Sequence, residues 1–161
     1  MPHIAVGEID LYYETHGAGP PALLISGTGN DLRRSFPDRS PLNKVCTTTH
    51  FDQRGLGQSA KPDTTYSMAD YADDAAGLLD ALGIAEAVVM GVSFGGMVAQ
   101  NLVARHPGRA RKLVLACTSA GGAGGSSADL LALSKLPVAE RLAASMAIVD
   151  TRLATAPEGE D

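Results

Sequence analysis

Residues 4–6 and 9–14 alternate apolar with polar positions on either side of Gly7-Glu8, the period-2 pattern of two strands joined by a tight turn. Gly17, Gly19, Pro20 and Pro21 end the pair, so the segment reads as a hairpin at the edge of a sheet. Ala22-Leu23-Leu24-Ile25-Ser26 is a short continuous apolar run, the pattern of a strand buried on both faces near the sheet centre. Residues 45–52 are rich in Thr, Val and Phe and run into the turn residues Arg54-Gly55-Leu56-Gly57, which predicts a fourth strand. Ser67 stands three residues before Asp70 as a helix N-cap, and Met68, Tyr71, Ala72, Ala75, Leu78, Leu79 and Leu82 recur at helical spacing until Gly83. Residues 87–90 then predict a strand, 95–106 a helix stopped by Pro107-Gly108, and 113–117 another buried strand. Strands alternating with helices require parallel crossovers, so the expected class is α/β with a mostly parallel sheet, an opening hairpin and helices on both faces.

Past residue 120 the pattern changes. Residues 121–127 form a glycine-serine joint, and 128–153 read as helical, broken at Pro137, before the acidic tail of Glu158, Glu160 and Asp161. Two parts are therefore expected, 1–120 and 121–161. Asp129, Glu140 and Asp150 belong to solvated helix faces. Leu130, Leu131, Leu133, Leu136 and Met146 make an apolar face that suits either a ligand pocket or ordinary helix packing.

Composition narrows the function classes. In 161 residues, 45% hydrophobic and 19% charged content is that of a soluble globular chain. Gly 18 and Pro 9 without a repeating period point to tight turns and close backbone approaches. A net charge of −5 argues against a nucleic-acid backbone or an anionic membrane as partner. Residues 87–104 carry no charge, yet Gly91, Ser93, Gly95, Gly96, Gln100 and Asn101 interrupt them, so strand, turn and buried helix account for the run better than a membrane span. Cys46 and Cys117 lie far apart without metal-ligand spacing and read as buried free thiols. The first ten residues lack the basic region of a secretory signal, and together with free thiols this predicts a reducing, cytoplasmic setting.

The chemistry concentrates in Gly91-Val92-Ser93-Phe94-Gly95-Gly96, a G-x-S-x-G sequence where a predicted strand meets a predicted helix. A nucleophile on a sharp strand-to-helix turn needs neighbours without side chains, and the helix behind it turns N–H groups and a positive dipole end toward an oxyanion. Ser93 is thereby the candidate nucleophile, against the plainer reading of a tight turn in a glycine-rich protein. Gly27-Thr28-Gly29-Asn30 could cradle phosphate, but Leu32 stands where a third glycine is needed, and there is no Gly-Lys-Ser/Thr. No histidine suits the general base. His106 follows Ser93 by a whole helix, about 18 Å at 1.5 Å per residue. His3 and His16 belong to the hairpin. His50 reads as a packed residue of the fourth strand.

These segments together resemble the N-terminal part of an α/β-hydrolase, nearest to the 3-oxoadipate enol-lactonase-like esterases. The resemblance runs over residues 4–118 and is carried by the hairpin, Ser26-Gly27-Thr28-Gly29-Asn30-Asp31, Asp52-Gln53-Arg54-Gly55-Leu56-Gly57-Gln58-Ser59 and the Ser93 turn. It implies an oxyanion hole from the N–H groups of Phe94 and Thr28, a structural role for the Asp52–Arg54 loop, and residues 121–161 as the start of a helical cap. Ser26-Gly27 replaces the His-Gly of many relatives, which alters how that loop is braced more than what its backbone offers. The family order places the acid and the histidine after the cap, hence outside this chain, along with the C-terminal strands. Residues 113–117 would then be an open apolar edge fitted to a complementary C-terminal chain or fragment.

The function so implied is a serine hydrolase acting on a small carboxylic ester or lactone by a Ser-His-Asp mechanism, with no cofactor and no metal. On this reading the chain alone is inactive. A C–C bond hydrolase or a cofactor-free haloperoxidase shares the serine, and a non-catalytic ligand- or partner-binding module is the alternative of another class.

Overall fold

The computed structural model describes residues 2–121 and 129–149. The chain divides into two compact units, Met1–Gly122 and Ala123–Asp161. The first is built on a six-stranded sheet: β1 (His3–Val6), β2 (Ile9–His16), β3 (Pro21–Ile25), β4 (Thr47–Phe51), β5 (Ala87–Val92) and β6 (Ala110–Ala116), in the order β1-β2-β4-β3-β5-β6. β1 pairs antiparallel with β2, and β2 antiparallel with β4, while β4, β3, β5 and β6 run parallel. The hairpin thus supplies one edge and β3 lies inside the sheet, as the apolar run requires.

Helices α1 (Met68–Ala81) and α2 (Phe94–Arg105) pack on one another and on one face of the sheet. Ser67 and Asp70 close a reciprocal capping box at the start of α1, satisfying two N–H groups that a helix end leaves open. The core holds Leu23, Ile25, Phe51 and Val89 from the strands against Ala72, Ala75, Leu78 and Leu79 of α1 and Val98, Ala99 and Leu102 of α2. The alanines keep the helices close to the sheet and to each other.

The opposite face is covered differently from the sequence expectation. Near β4 the cover is two short 3-10 turns, Pro37–Arg39 and Pro41–Lys44, where Asn43 Oδ1 accepts from Thr48 Oγ1 at 2.6 Å. Pro37 and Pro41 each open a turn, and a proline in the first turn of a helix costs nothing in N–H bonding. Four residues paired in register across this face, His50, Leu24, Met90 and Val114, form a row that is no more than half-buried at any position.

Three expectations need correction. The strand expected at 113–117 as a buried one starts at Ala110, and Leu113, Val114 and Leu115 remain 38%, 42% and 43% exposed, because β6 is an edge with no outer neighbour among the described residues. A run of apolar side chains cannot by itself distinguish a central strand from an apolar edge. The cysteines are not buried: Cys46 is half-buried and Cys117 exposed. The fourth strand begins at Thr47 rather than residue 45, since Val45 ends the second 3-10 turn.

In the second unit, Asp129 caps α3 (Leu130–Lys135) through Ala132 N–H at 2.9 Å, and Pro137 separates α3 from α4 (Val138–Val149). Arg141 bridges the two by donating to the carbonyls of Ser134 and Leu136. Val138 and Leu142 are exposed. Apart from Gly121, the expected glycine-serine joint lies outside the described residues, as do Asp150 and the acidic tail. The side chains of Leu130, Leu131 and Met146 also lie outside them.

Candidate active site

Ser93 links β5 to α2 with φ 54° and ψ −119°, and its side chain is exposed. Only Ser93 and Cys117 among the described non-glycine residues have positive φ. Such a backbone costs on the order of 1–3 kcal/mol and persists only where surrounding structure enforces it. The enforcement is visible on both sides. A Cβ at Gly91 would overlap the carbonyl of Gly95, and one at Gly95 would overlap the carbonyl of Ile25, so the turn closes only with glycine at these places. Ser93 N–H is held by the carbonyl of Ala116 at 2.9 Å.

The loop after β3 passes beside this turn. A Cβ placed on Gly27 would come 3.4 Å from Ser93 Cβ and 3.9 Å from its Oγ. The loop is braced by Asn30 N–H on the Gly27 carbonyl, by Ser26 Oγ on the Asn30 carbonyl at 3.1 Å, and by Gln53 Nε2 on the Ser26 carbonyl at 2.9 Å. Ser26 thus helps to close its own turn. Gln53, fully buried, is a brace that sequence reasoning passed over; its only signal was its place between Asp52 and Arg54.

Thr28 and Phe94 line one cavity of about 260 Å³ together with Arg54, Leu56, Tyr66 and Tyr71. Tyr71 stacks edge-on against Phe94 and against Tyr66, with ring centroids 5.1 and 6.0 Å apart, and burial pushes its hydroxyl above the usual tyrosine value. Phe94 is the first residue of α2, so its N–H has no acceptor one turn back in the helix. A second cavity, about 270 Å³, lies against Ser26, Gly27, Leu24, Met90, Val92 and His50.

Asp52 and Arg54 are held by structure. The fully buried Asp52 carboxylate accepts from the N–H of Leu32 and of Gln58, both at 2.7 Å, tying the β3 loop to the β4 loop. Arg54 makes a bidentate pair with Asp74 at 2.6 Å and lies over the Tyr66 ring.

No histidine is hydrogen-bonded to Ser93. His106 caps the far end of α2 and binds Asp73 at 2.7 Å; His3 binds Asp10, and His16 binds Glu14. His50 has a buried Nε2 without a partner, and burial, with His16 nearby, pushes its imidazole below the usual value. Among the described residues no group of His, Cys, Asp and Glu is arranged to hold a metal, and no helix is long and apolar enough to cross a membrane.

The sheet and the helices that position Ser93 have counterparts in known proteins. The family model of the alpha/beta hydrolase fold matches residues 21–142. The chain belongs to the alpha/beta hydrolase fold family. Within it, the chain is 36% identical over 115 residues to a protein of Azorhizobium caulinodans named as a carbamate hydrolase (RutD), covering 71% of this chain and 43% of that one. It is 41% identical over 102 residues to the 2-hydroxymuconate semialdehyde hydrolase of Pseudomonas putida, covering 62% and 36%. The enol-lactonase of Burkholderia xenovorans LB400 superimposes with a TM-score of 0.69 at 33% identity, over 74% of this chain and 47% of that one. The chain spans less than half the length of these alpha/beta hydrolase relatives.

Proposed function

We propose that this chain contributes the nucleophile and oxyanion hole of a serine hydrolase acting on a small carboxylic ester or lactone. The observation that carries the reading is the positive φ of Ser93, enforced by Gly91 and Gly95 with its hydroxyl exposed beside the Gly27–Thr28 loop. Ser93 Oγ attacks the carbonyl carbon while its proton passes to a histidine. The N–H groups of Phe94 and Thr28 receive the negative charge that develops on the carbonyl oxygen. As the tetrahedral species collapses, the histidine returns that proton to the leaving alkoxide oxygen. Water then gives a proton to the same histidine as it attacks the acyl carbonyl, and the proton passes to Ser93 Oγ as the carboxylic acid is released.

The histidine and its acid come from a complementary C-terminal chain or segment that adds strands beyond β6. Residues 1–120 are the core part and residues 121–161 the start of the cap part. The reaction uses no cofactor, and the reduced thiols suit the cytoplasm. The enol-lactonase similarity supports lactone chemistry. Similarity to a 2-hydroxymuconate semialdehyde hydrolase supports a second reading, hydrolysis of a C–C bond by the same serine.

The test is labelling of native material with a fluorophosphonate probe, with Ser93→Ala as control, followed by p-nitrophenyl esters and five-membered enol-lactones as substrates. Labelling at Ser93 with ester or lactone turnover is the expected result. Absence of labelling in the complete assembly removes the enzyme reading. Inert esters and lactones beside turnover of a C–C substrate would select the second.

A further inference from the structure

The Ser93 carbonyl takes three donors. Two come from its own helix, Gly96 N–H at 2.9 Å and Met97 N–H at 3.4 Å. The third comes from outside: Thr118, two residues beyond the end of β6, donates its Oγ1 hydroxyl at 2.7 Å. A carbonyl at the start of a helix does not need a side-chain donor, because the following turns supply N–H groups. The hydroxyl must therefore be accounted for by what it does to the peptide it touches.

That peptide joins Ser93 to Phe94. A trans peptide is planar and its C=O and N–H point in opposite directions, so a bond that fixes the Ser93 oxygen also fixes the direction of the Phe94 N–H. Donation to the oxygen further polarises the unit and makes the N–H at its other end a stronger donor. The segment that carries Thr118 is built to hold it there. Cys117, at φ 51°, turns the chain sharply, and Ala116 accepts from Ser93 N–H at 2.9 Å. Gln100 Nε2 holds the Ser119 carbonyl at 2.9 Å from the helix side. Thr118 also packs on Gly96 so closely that a Cβ there would lie 2.5 Å from its Cβ and Cγ2. The peptides on both sides of Ser93 are thus anchored to residues 116–118.

We propose that Thr118 is a positioning residue whose hydroxyl, bonded to the Ser93 carbonyl, aims and polarises the Phe94 N–H as an oxyanion donor. The proposal rests on the reading of Phe94 as part of the oxyanion hole. It separates from plain packing by the order of three variants. Thr118→Val keeps the shape and loses the hydroxyl, Thr118→Ser keeps the hydroxyl and loses the methyl, and Thr118→Ala loses both.

Two measurements apply to the same three variants of the full chain. The first is the Phe94 amide ¹⁵N and ¹H shift by NMR, which responds to hydrogen bonding at the preceding carbonyl and needs no activity. The second is the rate of fluorophosphonate labelling at Ser93 in the native assembly, with KM and kcat on an ester. Thr118→Ser should match the parent in both. Thr118→Val and Thr118→Ala should move the Phe94 amide upfield and slow labelling about tenfold, through kcat with KM unchanged, short of the 10²–10³ for complete loss of a donor. A Phe94 shift unchanged in Thr118→Val, or Thr118→Ser as the most affected variant, would overturn the proposal. If the parent does not label at all, the hydrolase reading fails, while the amide shift still decides whether the hydroxyl holds the peptide.

Discussion

Gly95 lies so close to the carbonyl of Ile25 that a Cβ there would overlap the oxygen. Ile25 ends β3 and Gly95 lies in the first turn of α2, so this one contact sets how near the loop after β3 comes to the serine turn. Gly95→Ala must push β3 and α2 apart. The expected cost is about 1–3 kcal/mol, the usual range for overpacking, read from urea unfolding. Labelling at Ser93 should fall with it, since the loop and the turn separate. Unchanged stability would mean that the approach is not enforced.

Ser93 itself is expected to trade stability for function. Glycine adopts its φ of 54° without the Cβ penalty, so Ser93→Gly should stabilise the chain by about 1 kcal/mol while abolishing labelling. Ser93→Ala abolishes labelling without that gain. Equal stability of the two variants would argue that the turn is unstrained.

Asp52 joins two loops through one buried carboxylate. Asp52→Ala leaves the N–H groups of Leu32 and Gln58 buried without an acceptor, and should cost on the order of 3 kcal/mol in urea unfolding. Asp52→Asn keeps one acceptor oxygen and should lose less. A cost below that of an ordinary surface change would remove Asp52 from the framework.

Much of this architecture could be read from local pattern. The capping box of α1 needs only Ser67 and Asp70 three residues apart, and the hairpin needs only alternation around Gly7, so both follow from neighbours in the chain. The bracing of the candidate site does not. Gln53 reaches Ser26 across 27 positions and Thr118 reaches Ser93 across 25, each through a backbone carbonyl that any residue could offer. Nothing at the accepting position marks such a bond. The exposure of β6 cannot be read from its own residues for another reason: whether Leu113, Val114 and Leu115 meet protein or solvent depends on which strands lie beyond them, so only the family order, and not the apolar pattern, pointed to an open edge.

Carboxylates held below their ordinary value shape the acid limb of stability, Asp31 and Asp73 most strongly among the described residues. Arg33 beside Asp31 and the Arg105 guanidinium beside Asp73 hold those carboxyls down at about 2. A carboxylate depressed in the folded state contributes stability that is present above its unfolded value, about 4, and is lost as pH falls through about 2. Stability should therefore decline between about pH 4 and 2. Asp73→Asn should flatten that decline and cost at most about 1 kcal/mol at neutral pH, because the pair is half exposed and screened by water. Chemical unfolding of both proteins across this range is the check. Parallel curves would show that the pair carries no pH dependence.

The apolar edge of β6 makes the last prediction. Leu113, Val114 and Leu115 stand exposed on a strand whose outer side has no partner among the described residues, and the strand's charges, Arg111 and Lys112, both lie before them at its start. An apolar edge of this kind adds strands from whatever chain is available, because unpaired N–H and C=O groups and apolar side chains are satisfied together. In the absence of a complementary segment the available chain is another copy. The isolated 161-residue chain should then sediment as dimers or larger species at micromolar concentration and should turn over no ester. Val114→Lys and Leu115→Lys place charge on both faces of the edge, and should return it to a monomer without loss of helix signal. With the complementary segment present, the same variants should weaken its binding and lower labelling at Ser93. A parent chain that stays monomeric at that concentration and hydrolyses an ester would contradict the edge argument and the missing histidine at once.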